Sequence, residues 1–249
     1  MLNSTEYVRQ LTTIMESVAR TQSQLVKDAA GLVLASLQSG GVIHAFGTGH
    51  SEGLAMEIAG RAGGLIPTNK LALRDVVLYG GESPEILRDM GLERDTDIAH
   101  RVFDLAMIEP SDIFVVASNS GVNGSVVELA LLAKKSGHRL IAITSIQHTN
   151  MVESKHPSGR RLCDIADVVL DNGAPYGDAI LPLPDGGSAC AISSITSALL
   201  AQMMVAEVVR RFVEAGDTPP VYVSANVPGG DEHNQVLEEK YTDRIRRSA

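Results

Sequence analysis

The apolar residues of the chain fall into short runs that do not alternate with polar residues, and turn residues bound each run. Runs of this kind are typical of strands that are covered on both faces. Stretches of helical length separate them, and the order strand–helix–strand implies right-handed crossovers in a parallel sheet. The pattern predicts an α/β fold, a doubly wound five-stranded parallel sheet with helices on both faces. The predicted strands are 42–46, 76–79, 113–117, 140–144 and 168–170, and the predicted helices are 51–63, 83–107, 123–137 and 188–215.

A helix precedes the first predicted strand. Apolar residues from Val8 to Ala29 recur at close to 3.5-residue spacing, which predicts one long N-terminal helix over residues 4–38 that ends at Gly40-Gly41. Such a helix packs either on a partner subunit or across the sheet. We expect the former, and hence a homodimer or homotetramer.

The chain contains no evident linker, repeat or low-complexity segment, so we expect a single domain over residues 1–249. Its core would span about residues 5–215, and residues 216–249 would form a C-terminal loop or tail. The Gly- and Pro-rich stretch 172–187 predicts a long loop, and loops of that length are often functional.

Composition excludes several classes of protein. A formal net charge of −9 argues against broad binding of nucleic acid, which needs a basic surface. Cys163 and Cys190 are too few for a disulfide framework. The uncharged stretch 188–206 carries hydroxyl side chains that lipid would leave unpaired, so it predicts a buried helix and no membrane span. Since no signal peptide is visible, we expect a cytoplasmic protein.

Turns rich in glycine and hydroxyl residues follow three of the predicted strands, at the edge where open parallel sheets bind ligands. Glycine lets the backbone approach a ligand, and N–H groups at a helix start suit an anion. The turns hold no Lys or Arg, so they predict phosphate bound by N–H and O–H groups, with sugar hydroxyls nearby. Taken singly, each turn is also explained as a polar helix cap. The turns are Gly47-Thr48-Gly49-His50-Ser51, Ser118-Asn119-Ser120-Gly121 and Thr144-Ser145.

A nucleotide site is less well supported. Gly47, Gly49 and Gly53 are spaced as G-x-G-x-x-x-G, which is one residue longer than the dinucleotide fingerprint, and no acidic ribose-binding residue is clearly placed. The sequence also lacks a P-loop. We therefore expect no cofactor.

The first two turns, the leading helix and the uncharged closing helix resemble the sugar isomerase (SIS) domain family over about residues 5–215. The resemblance is strongest to stand-alone SIS-domain proteins, some of them described as phosphoheptose-isomerase-like. It implies a five-stranded parallel α/β sandwich that forms dimers or tetramers and binds phosphosugars. The family more often has Ser or Gly at the position of His50, so the role of His50 stays open. By this resemblance the ligand would be surrounded by Thr48, His50, Ser51, Ser118, Asn119 and Ser120, with Gly47 and Gly49 in the first turn.

Isomerisation and elimination of a phosphosugar both need a base that removes the proton beside the carbonyl carbon. Glu57 and Arg61 lie in a stretch that resembles the Glu-x-x-Gly-Arg segment of phosphoheptose isomerases, in which the glutamate is the base. Helical spacing places Glu57 on a face continuous with Ser51. We expect Glu57 to act as the base and Arg61 to contact the substrate. The alternative is an ordinary i,i+4 ion pair on a solvated face, but the neighbours of Glu57 are mostly apolar.

A second acidic segment is similar to part of N-acetylmuramic acid 6-phosphate etherase, a SIS enzyme that eliminates across C2 and C3. It runs from Gly80-Gly81-Glu82 to Gly91-Leu92-Glu93. Glu82 is therefore a second candidate for the base, although Pro84 directly after Ser83 is also typical of a helix start. Glu93 is more readily explained as a surface acid.

The same reactions also need a general acid, and we expect a histidine to supply it. Several SIS enzymes use a histidine, sometimes from the neighbouring subunit, on the ring oxygen or the leaving group. The candidates are His50 and His233, and His233 is chosen for its polar, glycine-rich surroundings, since no family motif matches it. Metal binding at Asp231-Glu232-His233 lacks a partner motif, so we expect no metal. His44, inside a strand, is expected to be a core residue.

The sequence thus predicts an enzyme that acts on an (N-acetyl) amino-sugar 6-phosphate by abstraction of the C2 proton, followed by elimination of water. An aldose–ketose phosphosugar isomerase is the first alternative, and a non-catalytic phosphosugar sensor is the second. The expected partner is a small sugar phosphate, with no nucleic acid and no membrane.

Overall fold

The computed structural model describes residues 2–246. Their central feature is a five-stranded sheet in the order β2-β1-β3-β4-β5, in which every neighbouring pair is parallel. The predicted fold class is therefore confirmed. The strands are β1 (Ile43–Gly47), β2 (Thr68–Leu71), β3 (Ile113–Ala117), β4 (Arg139–Thr144) and β5 (Val168–Asp171).

Helices cover both faces of the sheet, and an antiparallel hairpin lies outside it. The helices are α1 (Ser4–Thr21), α2 (Ser23–Gln38), α3 (Glu52–Ile58), α4 (Asp75–Leu78), α5 (Asp97–Asp104), α6 (Gly124–Lys135), α7 (Ile146–Asn150), α8 (Ser193–Glu214) and α9 (Gly230–Glu238). The hairpin consists of β6 (Ala179–Pro182) and β7 (Ser188–Ala191).

The alternation of side chains along the strands creates two hydrophobic cores. In β3, Ile113 and Val115 face the core shared with α2, α3 and α8, whereas Phe114 and Val116 face the core shared with α5 and α6. All four are buried. Continuous burial on both faces explains why the strand sequences are uniformly apolar.

One strand prediction is wrong. Residues 76–79 belong to α4 and the turn after it, and the second strand is Thr68–Leu71, which pairs with β1 at the edge of the sheet. This strand is polar, and two of its side chains are hydrogen-bonded to distant or neighbouring groups: Thr68 Oγ1 donates to the carbonyl of Leu65, and Asn69 Oδ1 accepts from the backbone N–H of Arg246. The search for an apolar run therefore selected the wrong segment, because this polar strand is buried by partners that are distant in sequence.

The N-terminal region is helical as predicted, but it is divided at Gln22 into α1 and α2. The side-chain oxygen of Gln22 accepts a hydrogen bond from the backbone N–H of Asp171 at the end of β5. Both helices pack against α8, and α2 also contacts β3 and β5, so this region packs across the sheet. A contact with a partner subunit stays a prediction.

Other predicted helices are shorter than expected. The segment 51–63 is helical only to Ile58, after which Ala59 is extended and Gly60 has a φ of 77°. Of the segment 83–107, only Asp97–Asp104 is α-helical, and short 3₁₀ turns precede it. In 188–215 the helix begins at Ser193, since the first residues form β7, and β6 lies within the predicted loop 172–187.

The C-terminal segment is attached to the sheet region by specific contacts. Val221 forms an isolated antiparallel bridge with Leu65, and the Arg244 guanidinium binds the buried carboxylate of Asp112. Asp112 also bonds His44, which is fully buried as expected. Among residues 2–246, no helix is long and apolar enough to cross a membrane.

Candidate functional site

A pocket of about 200 Å³ opens at the carboxyl ends of β1 and β3. One wall comes from the turns after these strands and from α3, and the other from the start of α8. The residues that line it are His50, Ser51, Gly53, Leu54, Glu57, Ala117, Ser118, Asn119, Ile143, Asn172, Ser193, Ser194, Ser197 and Ala198.

The first turn, Gly47–Ser51, brings His50 and Ser51 to the pocket. It depends on glycine at two positions: a Cβ on Gly47 would lie 2.3 Å from the Ser51 carbonyl oxygen, and Gly49 has a φ of 55°. The backbone N–H of Ser51 closes the turn on the carbonyl of Thr48 at 3.0 Å. Thr48 itself is buried and does not belong to the pocket lining; its hydroxyl donates to Glu93.

The second turn brings Ser118 and Asn119 to the pocket. The Ser118 hydroxyl accepts from the backbone N–H of Gly121 at 3.1 Å. The carbonyl of Asn119 accepts from the backbone N–H of Ser145 at 3.1 Å. Ser120 is half-buried and lies beside the pocket, outside its lining.

Glu57 reaches the pocket from α3. Its Oε1 accepts a hydrogen bond of 2.7 Å from Gln202 Nε2 and also contacts the Arg61 guanidinium. The i,i+4 pair foreseen as an alternative therefore exists, but the face is not fully solvated, since the Glu57 side chain is only 24% exposed. Arg61 lies in a shallow open groove with Met56, adjacent to the pocket.

Sequence reasoning missed the second wall of the pocket. Ser193, Ser194 and Ser197 line it, and Asp178 caps the start of α8 by accepting the backbone N–H of Ser193 at 2.8 Å and its hydroxyl at 2.6 Å. The sequence does contain an indication of this wall: an uncharged helix begins with several hydroxyl residues directly after a Gly/Pro-rich segment. The pattern of residues 188–206 was sufficient to predict a buried helix but not a pocket wall.

Glu93 lies closer to the first turn than its sequence context indicates. Its Oε2 accepts hydrogen bonds from Thr48 Oγ1 at 3.2 Å and from Asn123 Nδ2 at 3.0 Å. A Cβ on Gly49 would lie 2.7 Å from its Oε1. Glu93 therefore connects the first turn to the start of α6, but it does not belong to the lining of the pocket.

Two predicted catalytic residues lie away from this pocket. Glu82 pairs with Arg101, and His233 Nε2 contacts the backbone carbonyl of Val221 at 3.0 Å. Neither lines the pocket in the part of the chain that the structure describes. Their catalytic roles stay predictions.

The charge of the pocket is low. Over residues 2–246, Glu57 is the one carboxylate in the lining and no Lys or Arg belongs to it, so hydroxyl, amide and imidazole groups supply the polar surface. The hydroxyl, amide and imidazole groups of this lining can hold an anion by hydrogen bonds and can transfer protons.

In the nearby loop, burial lowers the pKa of His148, and the centre of its ring lies 5.2 Å from that of the Tyr176 ring.

Comparisons with known proteins agree with this architecture. The SIS domain matches residues 6–145. A UPF0309 protein of Listeria monocytogenes is 40% identical over 233 residues, which cover 93% of this chain and 94% of that protein. A UPF0309 protein of Caldanaerobacter subterraneus is 35% identical over 244 residues, 96% of this chain and 98% of that protein.

Among solved structures, a phosphoheptose isomerase from Francisella tularensis has a TM-score of 0.57 at 18% identity, over 83% of this chain and 96% of that one. At that identity the likeness concerns the fold. The match to the SIS domain extends over more than half of the sequence, and the Listeria relative is similar over nearly all of it. The chain belongs to the SIS domain family.

Proposed function

We propose that the pocket binds a sugar phosphate and that the chain is a phosphosugar-processing enzyme. The observation that carries this proposal is the meeting of four groups in one pocket: the Glu57 carboxylate, the His50 imidazole, the Ser51 hydroxyl and the Ser118-Asn119 turn. The similar folds of phosphoheptose isomerases support the same class of ligand.

The phosphate group is assigned to the two turns. Ser51, Ser118 and Asn119 offer hydroxyl and amide donors, which suit a phosphate dianion without a cationic side chain. The start of α8 is less suitable for phosphate, because the Asp178 carboxylate already accepts its first N–H groups. The serines of α8 would instead face the sugar hydroxyls.

Glu57 is assigned as the base. Within the described part of the chain, the bonds from Gln202 and Arg61 fall on Oε1, which leaves Oε2 for the substrate. The step is the removal of the C2 proton of the open-chain sugar by Oε2, while the electron pair of the C–H bond forms a C1=C2 double bond and the carbonyl electron pair moves onto the C1 oxygen. A positioned carboxylate of this kind accelerates such a step by about 10²–10⁴-fold.

Two outcomes follow from that step. In elimination, which we favour for an (N-acetyl) amino-sugar 6-phosphate, the C3–O bond breaks and an acid delivers a proton, so that water leaves. In isomerisation, which needs a hydroxyl group on C2, Glu57 returns the proton to C1, and the C2 hydroxyl proton passes to the C1 oxygen as the C2 carbonyl forms. His50 is the assigned acid, because its imidazole lies in the pocket lining with Glu57.

The proposal also includes the domain organisation, the cellular location and the oligomeric state. The whole chain, residues 1–249, is taken as one domain that acts in the cytoplasm as a homodimer or homotetramer. Glu82 and His233 lie outside the pocket of this chain, so a direct role for either would require movement or a neighbouring subunit.

The test is a panel of hexose and N-acetylhexosamine 6-phosphates, each incubated with the protein and analysed by mass spectrometry. Loss of one water from a substrate would establish the lyase, whereas unchanged mass with altered reducing-end chemistry would establish the isomerase. Binding measured by calorimetry without any conversion would establish the sensor. A protein that neither binds nor converts any compound of the panel would contradict the proposal.

A further inference from the structure

Asn172 lies directly behind the second turn, and its side chain forms part of the pocket lining. It is 1% exposed, and its backbone N–H is bonded to the Thr144 carbonyl at 2.9 Å. The residue therefore has little freedom to move when a ligand enters.

The orientation of the Asn172 amide is fixed by a backbone group. Its Oδ1 accepts from the N–H of Ala174 at 2.9 Å, and since an N–H group only donates, the oxygen must lie on that side. The Nδ2 atom then lies on the opposite side, where it donates to Asn119 Oδ1 at 3.1 Å and to Ser197 Oγ at 3.2 Å.

The same logic fixes the amide of Asn119. Its oxygen accepts from Asn172, so its Nδ2 lies on the side away from Asn172. Asn119 lines the pocket, and its Nδ2 has no bond to a residue of the described chain and is not buried. The backbone of Asn119 is held as well, because its carbonyl accepts from the N–H of Ser145.

We propose that Asn172 is a positioning residue that makes Asn119 a hydrogen-bond donor only, so that this subsite selects a group that only accepts, the phosphate dianion. A flipped Asn119 would present its carbonyl oxygen and repel that group. The inference rests on the proposed function, because it names the part of the sugar phosphate that meets Asn119.

A double-mutant cycle tests this role. Asn172→Leu removes the amide at similar volume without adding charge, and Asn119→Ala removes the donor. With inorganic phosphate and N-acetylglucosamine 6-phosphate as probes in calorimetry, we expect each single variant to raise Kd by about three- to tenfold, the loss expected for one hydrogen bond. In the Asn119→Ala background, Asn172→Leu should add less than about twofold, since Asn172 acts through Asn119.

The matched control is Asn234→Leu. The Asn234 side chain also bonds the backbone, at the N–H and carbonyl groups of Val223 in the C-terminal segment. The Kd of this variant should equal that of the wild type. An equal loss from Asn172→Leu in both backgrounds, or no loss in either, would overturn the positioning role. If the wild type binds neither these probes nor any other compound of the phosphosugar panel, the proposed function fails and this inference fails with it.

A second measurement, by NMR, tests the Asn119 donor without a substitution at Asn172. In protein labelled with ¹⁵N-asparagine, the side-chain NH₂ signals of Asn119 are those absent from Asn119→Ala. Addition of inorganic phosphate should shift these signals further downfield than those of any other asparagine, Asn172 included. Binding that leaves the Asn119 NH₂ signals in place would overturn the inference even if Asn172→Leu does not fold.

Discussion

The Nε2 atom of Gln202 donates a hydrogen bond of 2.7 Å to Oε1 of Glu57. Gln202 belongs to α8 and Glu57 to α3, so this bond joins the two walls of the pocket. Together with Arg61 it orients the carboxylate from two directions, which a surface ion pair alone would not do.

Replacement of Glu57 by Gln should reduce turnover of the substrate found in the phosphosugar panel by about 10²–10⁴-fold, because an amide cannot take the C2 proton. The Kd of the sugar phosphate should change little, since we assign the phosphate to the two turns and not to Glu57. Steady-state kinetics and calorimetry measure the two effects. Glu52→Gln, on the same helix but paired with Arg74, should retain full activity. Undiminished turnover in Glu57→Gln would remove Glu57 from the mechanism.

Gly49→Ala should destabilise the fold and weaken ligand binding. A side chain at a φ of 55° costs about 1–2 kcal/mol, and the added Cβ would also lie 2.7 Å from Glu93 Oε1. Gly63→Ala is the control, because Gly63 has a φ of 80° with open space around its Cβ position. Urea unfolding should show a larger loss of stability for Gly49→Ala than for Gly63→Ala. When both are measured in the Glu93→Ala background, where the clash is absent, the two losses should become equal. Equal losses in the two single variants would mean that Glu93 moves aside freely.

The sequence was most informative where function depends on local geometry. The turns at Gly47–Ser51 and Ser118–Gly121 follow buried apolar strands, and their glycine and hydroxyl content is visible without any long-range contact. That they meet in one pocket follows from the parallel order of β1 and β3, which the apolar runs predicted.

The features that were not predicted depend on partners distant in sequence. The polar strand Thr68–Leu71 is stabilised by β1 and by the C-terminal segment, and the break at Gln22 by its bond to Asp171. Asn172 links the second turn to α8, because its amide nitrogen donates both to Asn119 and to Ser197. Local pattern carries no information about such contacts.

Arg244→Met should destabilise the protein by about 1.5–3 kcal/mol, the usual cost of one hydrogen bond to a charged group, because Asp112 keeps its bonds from His44 and from the backbone N–H groups of Val42 and Glu109. The carboxylate of Asp112 is fully buried and binds both Arg244 and His44. Arg210→Met is the control: Arg210 pairs with Glu207 and Glu214 on an exposed helix surface, and the urea midpoint should hardly move. A similar midpoint for both variants would show that the C-terminal segment contributes little to the fold.

Asp167 should make stability depend on pH in the acid range. Burial alone would raise the pKa of Asp167, but hydrogen bonds from Lys134, from the backbone N–H of Leu140 and from Arg139 outweigh it and hold the pKa below its usual value. The unfolded pKa is about 3.9, so the stabilisation is fully present above that pH and is lost as the pH falls through the lower folded-state value.

The free energy of unfolding in urea, measured from pH 7 to pH 2.5, should therefore differ between the wild type and Asp167→Asn by a constant amount above about pH 5. The difference should shrink below about pH 4, because the wild-type carboxylate becomes protonated and resembles the amide in charge. Asp185→Asn, in the exposed turn of the β6–β7 hairpin, controls for the loss of one negative charge. A difference for Asp167→Asn that stays constant to pH 2.5 would show that the ionised carboxylate is not the stabilising group.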